Sequence, residues 1–215
     1  TYTYVNRAQI NNSGFSSDNT TYHNTGVLDK MVSTDGVTFG KDVTVNYPSR
    51  ANGSVTVTYR VELHTSEGES GELRVQDQLP TGCGFQPGSV RLFVEDVSTS
   101  DGAPGTISTD YDAQAHTVTF RIAGYNPDGT AHKLSVLYSV TICPSTDARW
   151  NDLSLGSMEY KNTITWGEHT SSAKATMQRE VKVLDKRVEP KADQQVQYTV
   201  YINLENKFFC DAASG

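Results

Sequence analysis

Basic residues are in short supply. Eighteen Lys and Arg stand against 25 Asp and Glu, which leaves a formal charge of −7 on 215 residues. Nucleic acids and anionic membranes are gripped by clustered Lys and Arg, so neither is expected as a partner. No apolar run approaches the roughly 20 residues of a membrane span, and no membrane insertion is expected. The first residues hold no basic-then-apolar leader, so an export signal is expected outside this stretch. Cysteine is also scarce: Cys83, Cys143 and Cys210 are too few for a disulfide scaffold. No CxxC pair or Cys/His cluster suggests zinc. GxSxG, HExxH and P-loop motifs are missing, and His64, His116, His132 and His169 lack metal spacing. No cofactor and no catalytic turnover are expected. Long stretches rich in Ala, Leu, Glu and Lys are missing too, which excludes a helical protein.

What is abundant is Thr (25) and Val (21), with 11 Tyr. These residues suit a pleated, half-buried surface. Residues 54–65 alternate so that Val55, Val57, Tyr59, Val61 and Leu63 share one face. Residues 132–143 do the same with Leu134, Val136, Tyr138, Val140 and Ile142. Both patterns read as strands with one buried side. Shorter patterns of this kind fall at 71–79, 89–95, 116–122, 157–166 and 195–204, separated by turn signals such as STDG, SDG and NPDG. Residues 145–156 are compatible with a helical turn. Many short strands without a helical period predict an all-β sandwich.

The chain also repeats itself. TYVNRAQI (3–10) and EYKNTITW (159–166) share Tyr-x-Asn followed by alternation, with Asn6 matching Asn162. GVLDKMV (26–32) and KVLDKRV (182–188) share Val-Leu-Asp-Lys, with Lys30 matching Lys186. Each Asn precedes its Lys by 24 positions, and the offset between the copies is 156. A further echo sets Tyr59 against Tyr198. Two anchored motifs in one order with one gap point to a tandem repeat. The expected organisation is the end of a preceding repeat and a polar junction over 1–24, a complete domain over 25–180, and the start of a following repeat over 181–215. Neighbouring repeats of the same chain are then its first partners.

Three polar residues break the apolar pattern. Lys30 falls in register with Leu28 and Val32, Asp77 with Leu73, Val75 and Leu79, and Asn162 with Met158, Tyr160, Ile164 and Trp166. Alternation therefore turns a lysine, a carboxylate and an amide into the core. Isolated buried charges are costly, so the economical arrangement is that the three meet. Taken singly, each has a plainer reading: Lys30 snorkelling at an edge, Asp77 capping a turn, Asn162 bonding a loop.

Three motifs carry a resemblance: VLDKMV with its lysine, RVQDQLPTG with its Asp two residues before Leu-Pro, and EYKNTITW with its Asn. Over residues 25–180 the sequence resembles the Lys-to-Asn isopeptide-forming, collagen-adhesin A-like (CnaA-type) domains of Gram-positive pilins and cell-wall adhesins. The resemblance implies an Ig-like, CnaA-type β-sandwich at the bacterial cell surface, in which Lys30 bonds Asn162 with Asp77 assisting. Asn6 and Lys186 would serve flanking domains, each with a partner elsewhere.

The residues themselves support such chemistry. Burial disfavours charge on both Lys and Asp, so a proton can pass between them. The neutral amine is a nucleophile, and the protonated acid can polarise the amide carbonyl. Loss of ammonia would leave a side-chain amide formed once, without turnover. A stalk or shaft domain follows from this reading. The alternatives are a module that binds a host protein or glycan through its loops, and a non-catalytic β domain of a secreted enzyme. Cys83 and Cys143 are candidates for a disulfide, with separate thiols as the alternative. Asp110 and Asp112 are candidates to touch a cation, with a solvated hairpin as the plainer reading. Trp150, in a predicted loop, is the aromatic expected to make external contacts, and Trp166 is expected in the core.

Overall fold

A computed structural model describes residues 2–9, 15–22, 27–49, 53–69, 71–152, 155–180, 184–190 and 196–202. Strands dominate it, as the alternation predicts. The N-terminal strands β1 (Tyr2–Gln9) and β2 (Phe15–Tyr22) form a two-stranded antiparallel sheet. The sandwich follows, with β3 (Leu28–Ser33), β4 (Asp42–Asn46), β5 (Val55–His64), β6 (Leu73–Gln78), β7 (Cys83–Val94) and β8 (Val97–Ser98). It continues with β9 (Thr106–Asp112), β10 (Thr117–Ala123), β11 (Lys133–Ile142), β12 (Ser157–Trp166) and β13 (His169–Gln178). The last pair, β14 (Leu184–Pro190) and β15 (Val196–Ile202), is a second two-stranded sheet.

One face of the sandwich is a five-stranded sheet ordered β3-β5-β11-β7-β8, and the other a six-stranded sheet ordered β4-β13-β12-β6-β10-β9. Pairing is antiparallel except between β13 and β4, which run parallel. Strict alternation makes the core. On β6, Leu73, Val75 and Asp77 are buried between exposed neighbours. On β5, Val57, Tyr59, Val61 and Leu63 point inward. The sheets thus bury facing apolar surfaces worth roughly 25 cal/mol per Å² removed from water.

The connection after β6 turns at Gly82, whose φ is 81°, and a Cβ added there would lie 2.9 Å from Asp147 Cβ. Only a glycine is comfortable at that position. Asp147 opens a short 3-10 turn over Ala148–Asn151, so the helical turn expected within 145–156 is present. That turn buries Trp150, which is 3% exposed. Its ring meets Tyr47 edge-on at 4.9 Å, its Nε1 donates to Tyr160 Oη at 2.6 Å, and the Arg179 guanidinium covers it. Trp150 is therefore an internal anchor of this loop, not an outward contact. Its indole finds both a hydrogen-bond partner and two π neighbours inside. Trp166 is half-buried and packs against the core.

Two further expectations change. Residues 15–22, within the stretch expected as a polar junction, form a strand paired to β1. Cys83 and Cys143 are free thiols. Cys83 stands opposite Ile142, and the Cys143 amide bonds Gly82 O at 2.8 Å. Cys210 lies outside the described residues.

Shifting the N-terminal elements by the offset of 156 lays β1 on β12, β2 on β13 and β3 on β14. The pairing register agrees for β3–β5 and β14–β15, whereas β1–β2 is offset by one residue from β12–β13, with Asn6 opposite Asp18 but Asn162 opposite Ala173. Lys30 faces Val61 and Val32 faces Tyr59, while Lys186 faces Val200 and Val188 faces Tyr198.

Candidate functional site

The site lies between the sheets, where β3 and β5 of one face β6 and β12 of the other. Lys30, Asp77 and Asn162 are all at 0% exposure. Lys30 Nζ donates to Asp77 Oδ1. Asn162 Nδ2 donates to Asp77 Oδ2 at 3.1 Å. One carboxylate therefore bridges the amine and the carboxamide, on residues 132 positions apart. Register explains the meeting. Asp77 stands beside Ile164 on the neighbouring strand, and Ile164 shares an inward face with Asn162.

Strand β3 is an edge strand, and its main chain is held from the other sheet. The Lys30 amide donates to Ser171 Oγ at 3.0 Å. Its carbonyl accepts from Lys41 Nζ at 2.8 Å, and Lys41 also pairs with Asp29. An edge strand with unpaired polar groups would otherwise be free to fray. Here the pins fix the depth at which the Lys30 side chain enters the core.

Two tyrosines complete the walls. Tyr138 and Tyr59 are cross-strand partners with ring centroids 5.7 Å apart in a stacked pose. The Lys30 ammonium lies 4.7 Å from the Tyr59 centroid and 5.5 Å from that of Tyr138. Tyr138 Oη donates to Asp77 Oδ2 at 2.6 Å. Tyrosine on an inward strand face reads as ordinary core in a sequence.

Burial dominates the electrostatics. Desolvation outweighs the attraction of Asp77 and lowers the Lys30 pKa from 10.5 to about 8. Burial, then the Asp77 charge, pushes the Tyr138 hydroxyl well above its ordinary value. It is thus a neutral donor throughout the physiological range. Asn162 Oδ1 is buried without a hydrogen-bond partner. A buried group left in this state costs about 1–3 kcal/mol.

The other candidates part company with this cluster. Asp112 accepts from the amides of Gln114 and Ala115 at 2.9 Å and closes the β9–β10 turn, while Asp110 is exposed. Asn6 and Lys186 occupy strands β1 and β14, outside the sandwich sheets. Among the described residues no group of His, Cys, Asp and Glu is set to hold a metal ion. No helix among them is long and apolar enough to cross a membrane.

The fold and the buried cluster define a class, the two-sheet β-sandwich with an amine, acid and carboxamide inside. No protein-family model matches the chain, and no curated protein matches it. Solved structures do resemble it. The pilus backbone of Streptococcus pneumoniae is 15% identical, covering 65% of this chain and 30% of that one, with a TM-score of 0.41. The collagen-binding domain of a Staphylococcus aureus adhesin is 12% identical, covering 73% of this chain and 99% of that one, with a TM-score of 0.38. The major pilin subunit of Bacillus cereus is 9% identical, covering 81% of this chain and 55% of that one, with a TM-score of 0.43. The chain therefore spans less than two thirds of either pilin.

Proposed function

We propose that this chain is a piece of a repetitive bacterial surface protein, a stalk or shaft of an adhesin or pilin. Its sandwich over residues 25–180 is closed by an amide between Lys30 and Asn162. Residues 1–24 end one repeat and residues 181–215 open the next, with Asn6 and Lys186 serving those repeats. The observation that carries the reading is one carboxylate, Asp77, fully buried and hydrogen-bonded on one oxygen by an amine and on the other by a carboxamide. A charged pair of this kind is a poor way to stabilise a core, because desolvation offsets its attraction. It is a good way to hold a nucleophile, an acid and an electrophile together.

The step balances as follows. Lys30 Nζ gives a proton to Asp77 and attacks Asn162 Cγ. The new C–N bond forms and the carbonyl electrons move to oxygen. The carboxyl passes its proton to Nδ2, takes another from Nζ and ends protonated. The Cγ–Nδ2 bond breaks and ammonia leaves. Tension arriving at β3 would then pass through the amide to β12 without loading the strands between. Intact-mass measurement of the purified chain tests this. The expected wild-type mass is short by one ammonia, and Lys30→Ala and Asp77→Ala variants have their full masses. A folded wild type at full mass overturns the reading.

A further inference from the structure

The cross-linking reading leaves one buried group without a task. Tyr138 is at 0% exposure, and its hydroxyl makes a 2.6 Å bond to the same Asp77 oxygen that accepts from Asn162. Resting on that reading, we propose that Tyr138 is an oxyanion donor of the site. Its hydroxyl holds the Asp77 carboxylate before reaction and donates to the Asn162 oxygen as that oxygen gains charge.

Acceptor strength drives the switch. While Asp77 is a carboxylate it is the most negative acceptor in the core, and charge-assisted bonds are the strong ones. Once the Lys30 proton reaches Asp77, the carboxyl is neutral and holds the hydroxyl less firmly. When Nζ attacks, negative charge appears on the Asn162 oxygen. In the resting arrangement that oxygen, Oδ1, is buried and unpartnered, while Nδ2 faces Asp77. A half-turn of the carboxamide exchanges the two. It sets the oxygen against Asp77 and beside the Tyr138 hydroxyl, and as Cγ becomes tetrahedral the leaving nitrogen swings back within reach of the Asp77 carboxyl that protonates it. The phenol neither gains nor loses its proton overall. It supplies a preorganised dipole in a dry site, where such a donor has its greatest effect. Stacking on Tyr59 fixes the ring, so the hydroxyl need only turn about its own C–O bond.

The experiment follows ammonia loss by mass against time after whole chains are made in cell-free synthesis and translation is stopped. Tyr138→Phe keeps the ring and removes the donor. It is expected to form the bond about tenfold to a hundredfold more slowly than wild type. Placing 3-fluorotyrosine at position 138 restores a hydroxyl of greater acidity, and is expected to restore the wild-type rate or exceed it. A purely structural hydroxyl would not track donor acidity. Tyr138→Phe reacting within about twofold of wild type overturns the proposal while the cross-link stands, as does a fluorotyrosine chain as slow as Tyr138→Phe. A wild type that never loses ammonia overturns the cross-link itself. If Tyr138→Phe fails to fold, the fluorotyrosine rate decides.

Discussion

The chain holds two versions of one strand pair, and they differ in what covers them. In β3–β5, Val32, Tyr59 and Val61 are at 0%, 1% and 1% exposure. In β14–β15, the residues in matching register are Val188, Tyr198 and Val200, at 53%, 56% and 52%. Local sequence sets the register in both, because alternation and cross-strand pairing are short-range properties. The chemistry is not short-range. Lys30 is buried by the opposite sheet, which brings Asp77 and Asn162 to it and excludes water. A lysine in the right register is half of a site, and the second sheet makes it whole.

The largest way to break that contrast is to remove the amine. Lys30→Ala should lose the cross-link and leave Asp77 buried without its cation. Closing a loop of ~100 residues removes unfolded-state entropy worth about 4–5 kcal/mol. For a domain of this size that converts to a melting temperature lower by roughly 10–20 °C. Calorimetry of wild type and variant, with masses taken on the same samples, checks it. A drop of only a degree or two would say that Lys30 closes nothing.

Next comes the titration of Lys30, read in a variant that cannot form the bond. In Asn162→Ala the amine stays buried beside Asp77. Its folded pKa, lowered to about 8, lies below the unfolded 10.5. Between those values the unfolded chain binds more protons than the folded one. Stability should therefore be flat below pH 8 and rise from about 8 to 10.5 through this group. Urea midpoints at about pH 7 and about pH 10, on either side of most of that rise, measure it. The double variant Lys30→Met/Asn162→Ala subtracts the other titrating groups and should show a smaller rise. Equal slopes in both would mean that the opposite sheet leaves the amine unperturbed.

This contrast also explains what can be read from the residues alone. Parity along β3, β6 and β12 turns Lys30, Asp77 and Asn162 inward, and the strict alternation of β5 and β11 points to the sandwich. Tyr138 cannot be told from its neighbours Val136 and Val140, because a tyrosine on an apolar face has no anomaly to flag. Its role depends on a hydrogen bond to a residue 61 positions away. Trp150 misleads for the opposite reason. Its surroundings, STDARWNDLS, are polar, and its burial comes from Tyr47, Tyr160 and Arg179, all outside that segment. Strands β4 and β9 are not legible either. Each shows exposed residues alternating with mostly half-buried ones, so neither carries a full apolar stripe.

The smallest effect is the sharpest matched pair. Val61 and Val200 face the two lysines of the repeat, Lys30 and Lys186, in the same register. Replacing each by threonine keeps the shape and the β-branching, and adds one hydroxyl. At Val61, at 1% exposure and opposite the buried Lys30, that hydroxyl is cut off from water and should cost about 1–3 kcal/mol. At Val200, at 52% exposure, water solvates it, and the change should stay within about 0.5 kcal/mol. Denaturant midpoints of the two single variants measure the difference directly. Equal costs would mean that the face of β14–β15 is covered in solution as the face of β3–β5 is. The contrast between the pairs would then lie in the residues that cover them, not in whether they are covered.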